Sequence, residues 1–293
     1  MFKDYIHLHF IVLIWGFSGV MGKLVSIPSI ELVFYRTFIS AVGLLLILFI
    51  LKKPVITSSK VDLKRMFFMG FLVAVHWVLF FLSARLANVS VSLAGMATGA
   101  LWTSLVESLN RKVKSHEIIL GSISFLGMVI IFQSDLSYGY GFLIAVVSAF
   151  FCAIFTVGNA GLVKRQDPIT ITFYEMVFAS LILLVTAPIF NVFFGKQLFA
   201  LPEVMDWVYL LVLACFCTIY AFTVSVELMK RLTAFAINLT VNLEPIYGMG
   251  IAFVIFGHSE KMKLDFYLGT ILILISVLIF PSLNKKYNKK KHS

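Results

Sequence analysis

The sequence predicts an all-α integral membrane protein whose ten transmembrane helices form two inverted five-helix repeats. Three observations lead to this fold class. The chain contains ten long apolar spans, the gaps between them alternate between basic and nearly charge-free, and similar strings recur in the same order in both halves. The composition agrees, since 60% of the 293 residues are hydrophobic and 13% are charged, whereas soluble domains carry about 25% charged residues.

Each span is long enough, or nearly so, to cross a bilayer as a helix. A helix rises about 1.5 Å per residue and the hydrocarbon layer is about 30 Å thick. Several spans, such as 67–82, are apolar on all sides rather than along one stripe, which is typical of buried or lipid-facing helices. The spans cover residues 6–22, 29–51, 66–84, 88–109, 117–133, 139–162, 168–193, 205–226, 233–257 and 265–283.

Lysine and arginine are divided unequally between the two sets of gaps. Of the 24 Lys and Arg residues, 18 lie at the termini or in every second gap, five lie in the other gaps, and Arg36 lies inside a span. Short cytoplasmic loops collect these residues, so both termini are expected to be cytoplasmic in a multi-pass protein of the inner membrane. The net charge of +10 is spread over short loops and a tail, which favours membrane lipids over nucleic acid as partners.

The ten spans divide into two similar sets of five near residues 133–138. The second span contains FYRTFIS at 34–40 and the seventh contains FYEMVFAS at 173–180, while the fourth and ninth follow Arg-Leu pairs at Arg85 and Arg231. Because five is odd, a repeated half enters the membrane upside down, as in many secondary transporters. A helical bundle with accidental similarity is the alternative. The predicted units are residues 1–135, residues 136–283 and a basic cytoplasmic tail of 284–293.

Several short motifs resemble those of the EamA branch of the drug/metabolite transporter superfamily. They are Trp15-Gly16, the string around Arg36, the sequence NLEP at 242–245, and Phe256-Gly257. This resemblance implies a ten-span transporter that moves small metabolites by alternating access. It also implies a cavity lined by the first, third, fourth, sixth, eighth and ninth spans.

Two departures from the family pattern are visible. The glutamate expected directly after the ninth span is displaced to Glu260, and no proline in the fourth span matches Pro245, where Gly99-Ala100 stands instead. The sequence therefore predicts that the two halves are unequal at their centres.

Ionisable side chains inside spans are the first candidates for a site, since each costs about 2.5–3.5 kcal/mol on insertion scales. Arg36 is expected to face the interior. There it either holds a substrate carboxylate or phosphate, or ties helix ends together through backbone carbonyls. Glu175 occupies the matching position in the other half, so a cross-half ion pair between Arg36 and Glu175 is a further alternative.

The sharpest local feature is Glu244-Pro245 in the middle of the ninth span. Pro245 removes a backbone donor and clashes with the carbonyl of Val241, which predicts a kink. Broken backbone at membrane depth is tolerated where protein or a cavity covers it. We expect Glu244 to line a polar pocket with Asn238 and Asn242; alternatively, Glu244 only satisfies loosened backbone groups.

The remaining candidates are a histidine and four large aromatic residues. His76 in the third span is either a proton relay or a hydrogen-bonded core residue. Trp15, Trp77, Trp102 and Tyr220 lie well inside spans, where they either line a cavity for a ring-bearing or cationic substrate or pack between helices.

These patterns favour a secondary transporter of a small organic metabolite, such as an amino acid or a related compound. Export is favoured over uptake, and proton coupling through Glu244 or His76 is a hypothesis. The chain has no P-loop, no zinc-binding constellation and no nucleophile elbow, so neither an enzyme nor a cofactor or metal is expected. The alternative is a membrane scaffold or lipid-binding helical bundle without transport activity.

Overall fold

A computed structural model describes residues 2–55, 57, 59–109, 114–134, 138–193, 199–257 and 263–290, and all regular secondary structure in these residues is helical. In the first half the helices are α1 (Phe2–Leu24), α2 (Ser29–Ile50), α3 (Lys60–Leu86), α4 (Val89–Met96), α5 (Gly99–Ser108) and α6 (Ser115–Ser134). The second half contains α7 (Gly139–Leu162), α8 (Pro168–Phe193), α9 (Val204–Val212), a π-helical segment (Leu213–Tyr220), α10 (Ala221–Leu228), α11 (Ala234–Val241), α12 (Glu244–Phe256) and α13 (Leu264–Lys290).

Every apolar span of the sequence coincides with one helix or with consecutive helices. The fourth span is the pair α4 and α5, the ninth is α11 and α12, and the eighth joins α9, the π-helical segment and α10. Within the described residues, seven spans are long and apolar enough to cross a membrane; the full set of ten remains a prediction. The seven are Lys3–Leu24, Ser29–Ile50, Lys60–Leu86, Val89–Ser108, Gly139–Leu162, Pro168–Phe193 and Val204–Leu228.

The fourth and ninth spans are interrupted in the same way. Helices α4 and α11 are each eight residues long, and each begins with a capping side chain, Asn88 or Thr233, that accepts a bond from a backbone N–H of the first turn. Both are followed by a two-residue break before the next helix. Pro245 lies in the first turn of α12, where its missing N–H leaves no helical bond unmade.

The prediction of unequal centres is therefore wrong for the backbone. In the fourth span the break falls at Ala97 and Thr98, without a proline, and the Thr98 hydroxyl donates to the Gly95 carbonyl at 2.9 Å. A side-chain hydroxyl that bonds to the preceding turn competes with the helical pattern, which is one way a helix ends. The two centres differ in side chains, since Glu244-Pro245 in one corresponds to Gly99-Ala100 in the other.

The helices pack in pairs that join the two halves. The most extensive pairs are α6 with α13, α3 with α7, α2 with α8 and α1 with α12, and α3 also packs along α8. Large apolar side chains such as Phe49, Phe193 and Val204 are exposed on the outside, whereas several ionisable residues are buried inside. This distribution suits a hydrocarbon solvent, in which polar groups must find partners within the protein.

Contacts between connecting segments define two ends of the bundle. At one end, called the basic end here, Lys53 bonds to Asp167 at 2.6 Å and Arg165 bonds to Asp62 at 3.0 Å. At the other, called the opposite end, Ser26 contacts the first turn of α9. The gaps that the charge pattern assigns to one side of the membrane thus lie together in the structure.

Helix α3 crosses α8 closely at Gly70. A Cβ atom at this position would lie 2.8 Å from the Glu175 carbonyl oxygen and 3.0 Å from the Phe178 Cβ. We expect Gly70→Ala to lower the free energy of unfolding by about 1–3 kcal/mol, the usual cost of overpacking. Thermal unfolding in detergent measures the change.

Gly161 of α7 provides the matched control, because no atom lies within 4 Å of its added Cβ. Gly161→Ala should be neutral or stabilising by at most about 1 kcal/mol through helix propensity. Equal destabilisation of the two variants would contradict a close helix crossing at Gly70.

Candidate functional site

A cavity between helices of both halves contains six of the residues singled out in the sequence. Its volume is about 70 Å³, roughly half of the ~150 Å³ void that admits benzene in an engineered protein core. A metabolite therefore requires the walls to move apart. The six residues are Trp15, Arg36, His76, Trp77, Asn238 and Glu244.

The lining comes from the first, third, fourth, sixth, eighth and ninth spans, with Arg36 added from the second. Sequence reasoning missed several polar members of this lining, since serine, threonine and cysteine are common throughout apolar spans and carry no distinguishing pattern. They are Ser18, Cys152, Thr156 and Ser225.

Arg36 is the best-anchored charge of the cavity. Its Nε donates to Thr218 Oγ1 at 2.8 Å, its Nη1 donates to Ser18 Oγ at 3.3 Å, and the guanidinium carbon lies 3.9 Å from the centre of the Trp77 ring. Cation–π contacts contribute about 2 kcal/mol or more when desolvated. Two bonds leave three of the five N–H donors of an arginine for an anionic group.

The π-helical segment positions the groups that hold Arg36. Its wider turns place the Thr218 hydroxyl within 3.0 Å of the Leu213 carbonyl, five residues back, as well as next to Arg36. The Cys217 carbonyl accepts a 3.0 Å bond from Trp15 Nε1. Such π-helical turns frequently occur at functional sites. Residues 213–220 contain no glycine or proline, so no local sequence pattern predicts this turn.

Glu244 is the acidic residue of the cavity lining. It is 6% exposed, lines the cavity and lies in the first turn of α12, where the helix dipole favours a carboxylate. Arg36 is the charged residue that acts on it electrostatically, yet the two groups form no ion pair within 4.0 Å. The cavity is thus lined by one basic and one acidic side chain that form no ion pair with each other.

Two further polar residues are already hydrogen-bonded. His76 Nδ1 lies 2.8 Å from Ser148 Oγ and 3.0 Å from the Ser148 carbonyl oxygen, so Nε2 is the nitrogen left for another partner. Asn238 donates to Thr103 Oγ1 at 2.6 Å and accepts from Thr156 Oγ1 at 3.5 Å. These bonds tie α3 to α7, and α11 to α5 and α7, around the cavity.

Besides Glu175 and Pro245, three of the singled-out residues lie outside the cavity lining. Trp102 packs edge-on against Phe150, with ring centres 5.3 Å apart. The Tyr220 hydroxyl bonds to His7 Nε2 at 2.8 Å on a partly exposed surface. Asn242 is buried at the break of the ninth span, and neither its amide oxygen nor its amide nitrogen has a hydrogen-bond partner.

The predicted ion pair between Arg36 and Glu175 is absent from the structure. Asn159 Nδ2 donates to Glu175 Oε2 at 3.3 Å, while Arg36 bonds to Ser18 and Thr218. Each charge lies seven residues, or about 10 Å, from the start of its helix, but α2 starts at the opposite end and α8 at the basic end. Matching positions therefore lie at different depths.

The cavity walls are mostly aromatic and apolar, with one basic side chain, one acidic side chain and a few neutral hydrogen-bonding groups. In the described residues no group of three or more His, Cys, Asp and Glu side chains could hold a metal ion, and the three cysteines are free.

Thr218 and Thr223 in the eighth span form a matched pair for testing the Arg36 anchor. Thr218→Val removes a hydrogen bond to a charged group, so it should lower the free energy of unfolding by about 1.5–3 kcal/mol. Thr223 Oγ1 is buried without a hydrogen-bond partner, so Thr223→Val should be neutral or stabilising. Thermal unfolding of both variants in detergent compares them, and a Thr218→Val protein as stable as wild type would contradict the anchor.

Comparison with known proteins agrees with the helical architecture. The chain matches the EamA-like transporter family over residues 5–133 and 139–280, one repeat of the family in each half. An uncharacterized transporter of Archaeoglobus fulgidus is 28% identical over 187 residues, which cover 61% of this chain and 65% of the length of that relative. A crystal structure of another protein superposes with a TM-score of 0.70 over 97% of both chains at 12% identity, which shows a shared fold. The chain, a multi-pass integral membrane protein, belongs to the EamA-like transporter family.

Proposed function

We propose that this protein is a secondary transporter that moves a small organic metabolite across the inner membrane by alternating access, with export favoured over uptake. The observation that carries the proposal is the cavity at the interrupted ninth span, where Arg36 and Glu244 face a common space without pairing. Interrupted helices at the interface of two repeats are where transporters bind their substrates.

The cavity chemistry favours a zwitterionic substrate with an apolar part. Arg36 would bind a carboxylate through its free N–H groups, and Glu244 would bind an ammonium group. Trp15, Trp77 and Phe155 form aromatic walls for the remainder of the molecule. A neutral amino acid or a related compound has this combination of groups.

The packing of the helices supports two inverted five-helix halves, residues 1–135 and 136–283. Corresponding spans of the two halves pack against each other, namely α2 with α8, α6 with α13, and α4 and α5 with α12 and α11. Pairing of corresponding elements is what a two-fold axis in the membrane plane produces. Helix α13 continues to Lys290, so the expected basic tail begins as part of a helix, and residues 291–293 lie outside the described part of the chain.

Two corresponding carboxylates support the alternation of access. Asp206, in the first turn of α9, accepts bonds of 2.8 Å from the Ser26 N–H and 2.6 Å from the Ser26 hydroxyl at the opposite end. Asp62, in the first turn of α3, accepts bonds of 3.0 Å from Arg165 and 2.9 Å from Gln166 at the basic end. We call these the opposite-end clamp and the basic-end clamp. Opening one while the other holds would expose the cavity to one side at a time.

Variants in which a neutral glutamine replaces an ionisable side chain of the cavity test the transport function. Vesicles containing the purified protein are assayed for uptake of radiolabelled leucine and phenylalanine as probes. We expect Arg36→Gln and Glu244→Gln to lower uptake at least tenfold, because each leaves one end of a zwitterion without its counter-charge. A comparison of metabolites in cells with and without the protein extends the set of probes.

Glu227→Gln is the matched control, since Glu227 is an exposed glutamate of α10 outside the cavity. It should transport like wild type. If thermal unfolding shows that Arg36→Gln and Glu244→Gln are folded and both transport like wild type, the role of this cavity in transport is refuted. If the wild-type protein takes up no probe either, the scaffold is favoured. Uptake that ignores an imposed pH gradient would exclude proton coupling.

Labelling of Cys152, a free cysteine of the cavity lining, tests the two clamps. Asp206→Ala should raise labelling by a membrane-impermeant thiol reagent from the opposite end, and Asp62→Ala should raise it from the basic end. Hydrogen bonds to a charged group contribute about 1.5–3 kcal/mol, so we expect changes of about tenfold. Peptide mass spectrometry identifies the labelled cysteine.

Asp265→Ala serves as the control for the clamps, because Asp265 is an exposed aspartate in the first turn of α13. Its labelling should equal that of wild type from both sides. An increase from the same side in both clamp variants would contradict their opposed roles.

A further inference from the structure

A second buried carboxyl group lies outside the cavity, where α3, α7 and α8 cross. Glu175 of α8 and Asn159 of α7 are both fully buried, and Asn159 Nδ2 donates to Glu175 Oε2 at 3.3 Å. The close approach of Gly70 on α3 to the Glu175 backbone leaves little room on the third side. Neither residue contributes to the cavity lining.

The two remaining oxygen atoms of this pair have no hydrogen-bond partner. They are Glu175 Oε1 and Asn159 Oδ1, and both are buried. Both atoms are acceptors when the carboxyl group is ionised, so neither can satisfy the other. A proton on Oε1 would change this, because it would turn Oε1 into a donor for Oδ1 while the amide N–H still donates to Oε2. A single added proton would thus provide both orphaned atoms with a partner in one cyclic acid–amide pair.

Among the residues that the structure describes, no cation compensates Glu175. It forms no ion pair within 4.0 Å, and no charged side chain acts on it electrostatically. Its environment consists of burial and the hydrogen bond from Asn159. The ionisable groups of the helices packed around it have other partners or are exposed. They are Arg36 bonded to Thr218, Glu31 to Asn191, Asp62 to Arg165, His76 to Ser148, Arg85 to the Val25 carbonyl, Tyr174 to the Val55 carbonyl, and the exposed Lys60, Lys64, Arg65 and Glu227.

We infer that Glu175 and Asn159 form a proton-binding site, and that this site rather than Glu244 or His76 carries the coupled proton. A buried carboxyl group without a cation takes a proton instead of remaining charged. The proton comes from a hydronium ion: one of its O–H bonds breaks as the Oε1–H bond forms, and a water molecule is released. The coupling role rests on the proposed transport function, whereas the binding of the proton does not.

The position of the pair links it to the basic-end clamp. Glu175 lies about 10 Å along α8 from the basic end, and Asp62 of that clamp lies on α3, the helix that covers Glu175. Opening the clamp releases the start of α3 from Arg165 and Gln166. Water then gains access to Glu175 from the basic end, and the proton exchanges on that side.

Infrared difference spectra of the purified full-length protein during a pH titration test the site without any substrate. Wild type should show the carbonyl band of a protonated carboxylic acid at neutral pH, and Glu175→Gln should lack this band. Asn159→Leu should shift the band to higher frequency, because the acid carbonyl loses its donor. This second variant retains Glu175, so the test does not depend on how well Glu175→Gln folds.

Glu227→Gln is the control and should leave the band unchanged. Identical spectra of Glu175→Gln and wild type at every pH, or an unshifted band in Asn159→Leu, would overturn the proton site. In vesicles, leucine or phenylalanine uptake by Glu175→Gln that no longer responds to a pH gradient supports coupling at Glu175, while an unchanged response overturns that role. If the wild-type protein shows the carboxylic acid band but transports neither probe, the proposed transport function is refuted while the proton site stands.

Discussion

The interruption of the fourth and ninth spans at the same distance from their capping residues is the constraint on which the rest of the structure depends. A broken helix leaves backbone groups unpaired, and hydrocarbon offers them no partners. The breaks must therefore face each other or a polar space inside the bundle. This brings α4 and α5 against α12 and α11 and opens the cavity beside them. Glu244 reaches this space because it begins a new helix there rather than continuing an old one.

A similar argument explains how Arg36 is held. A guanidinium group in the membrane interior needs acceptors and a polarisable neighbour, and it obtains them from three different spans: Ser18 on α1, Trp77 on α3 and Thr218 in the π-helical segment. Because these anchors belong to separate helices, the contacts of Arg36 depend on the relative positions of those helices. A change in the packing of the eighth span against α1 and α2 would alter its bonds, so the charge of the cavity and the packing of the bundle are linked.

How far the sequence predicts this arrangement depends on whether the signal is local. Hydropathy is local, so each apolar span coincides with one helix or with consecutive helical segments. The cost of burying an ionisable group likewise places Arg36 and Glu244 in the interior. The break at Ala97 and Thr98 was missed because it depends on a hydroxyl bond rather than on proline. The π-helical segment has no residue pattern of its own. Asp62 and Asp206 resemble ordinary acidic residues of a first helical turn, and their partners are more than a hundred residues away in sequence.

The buried carboxyl groups show how the environment divides roles among chemically equal side chains. Glu244 lines a cavity together with Arg36, and this cation acts on its carboxyl group. Glu175 has only an amide beside it, so its charge has no compensation and its neutral form fits the closed bundle. Glu175 lies outside the cavity lining, where α3 packs along α8. In the proposed transport cycle, substrate binding at Glu244 and proton exchange at Glu175 would therefore be separated in space, and the opening of the basic end would connect them.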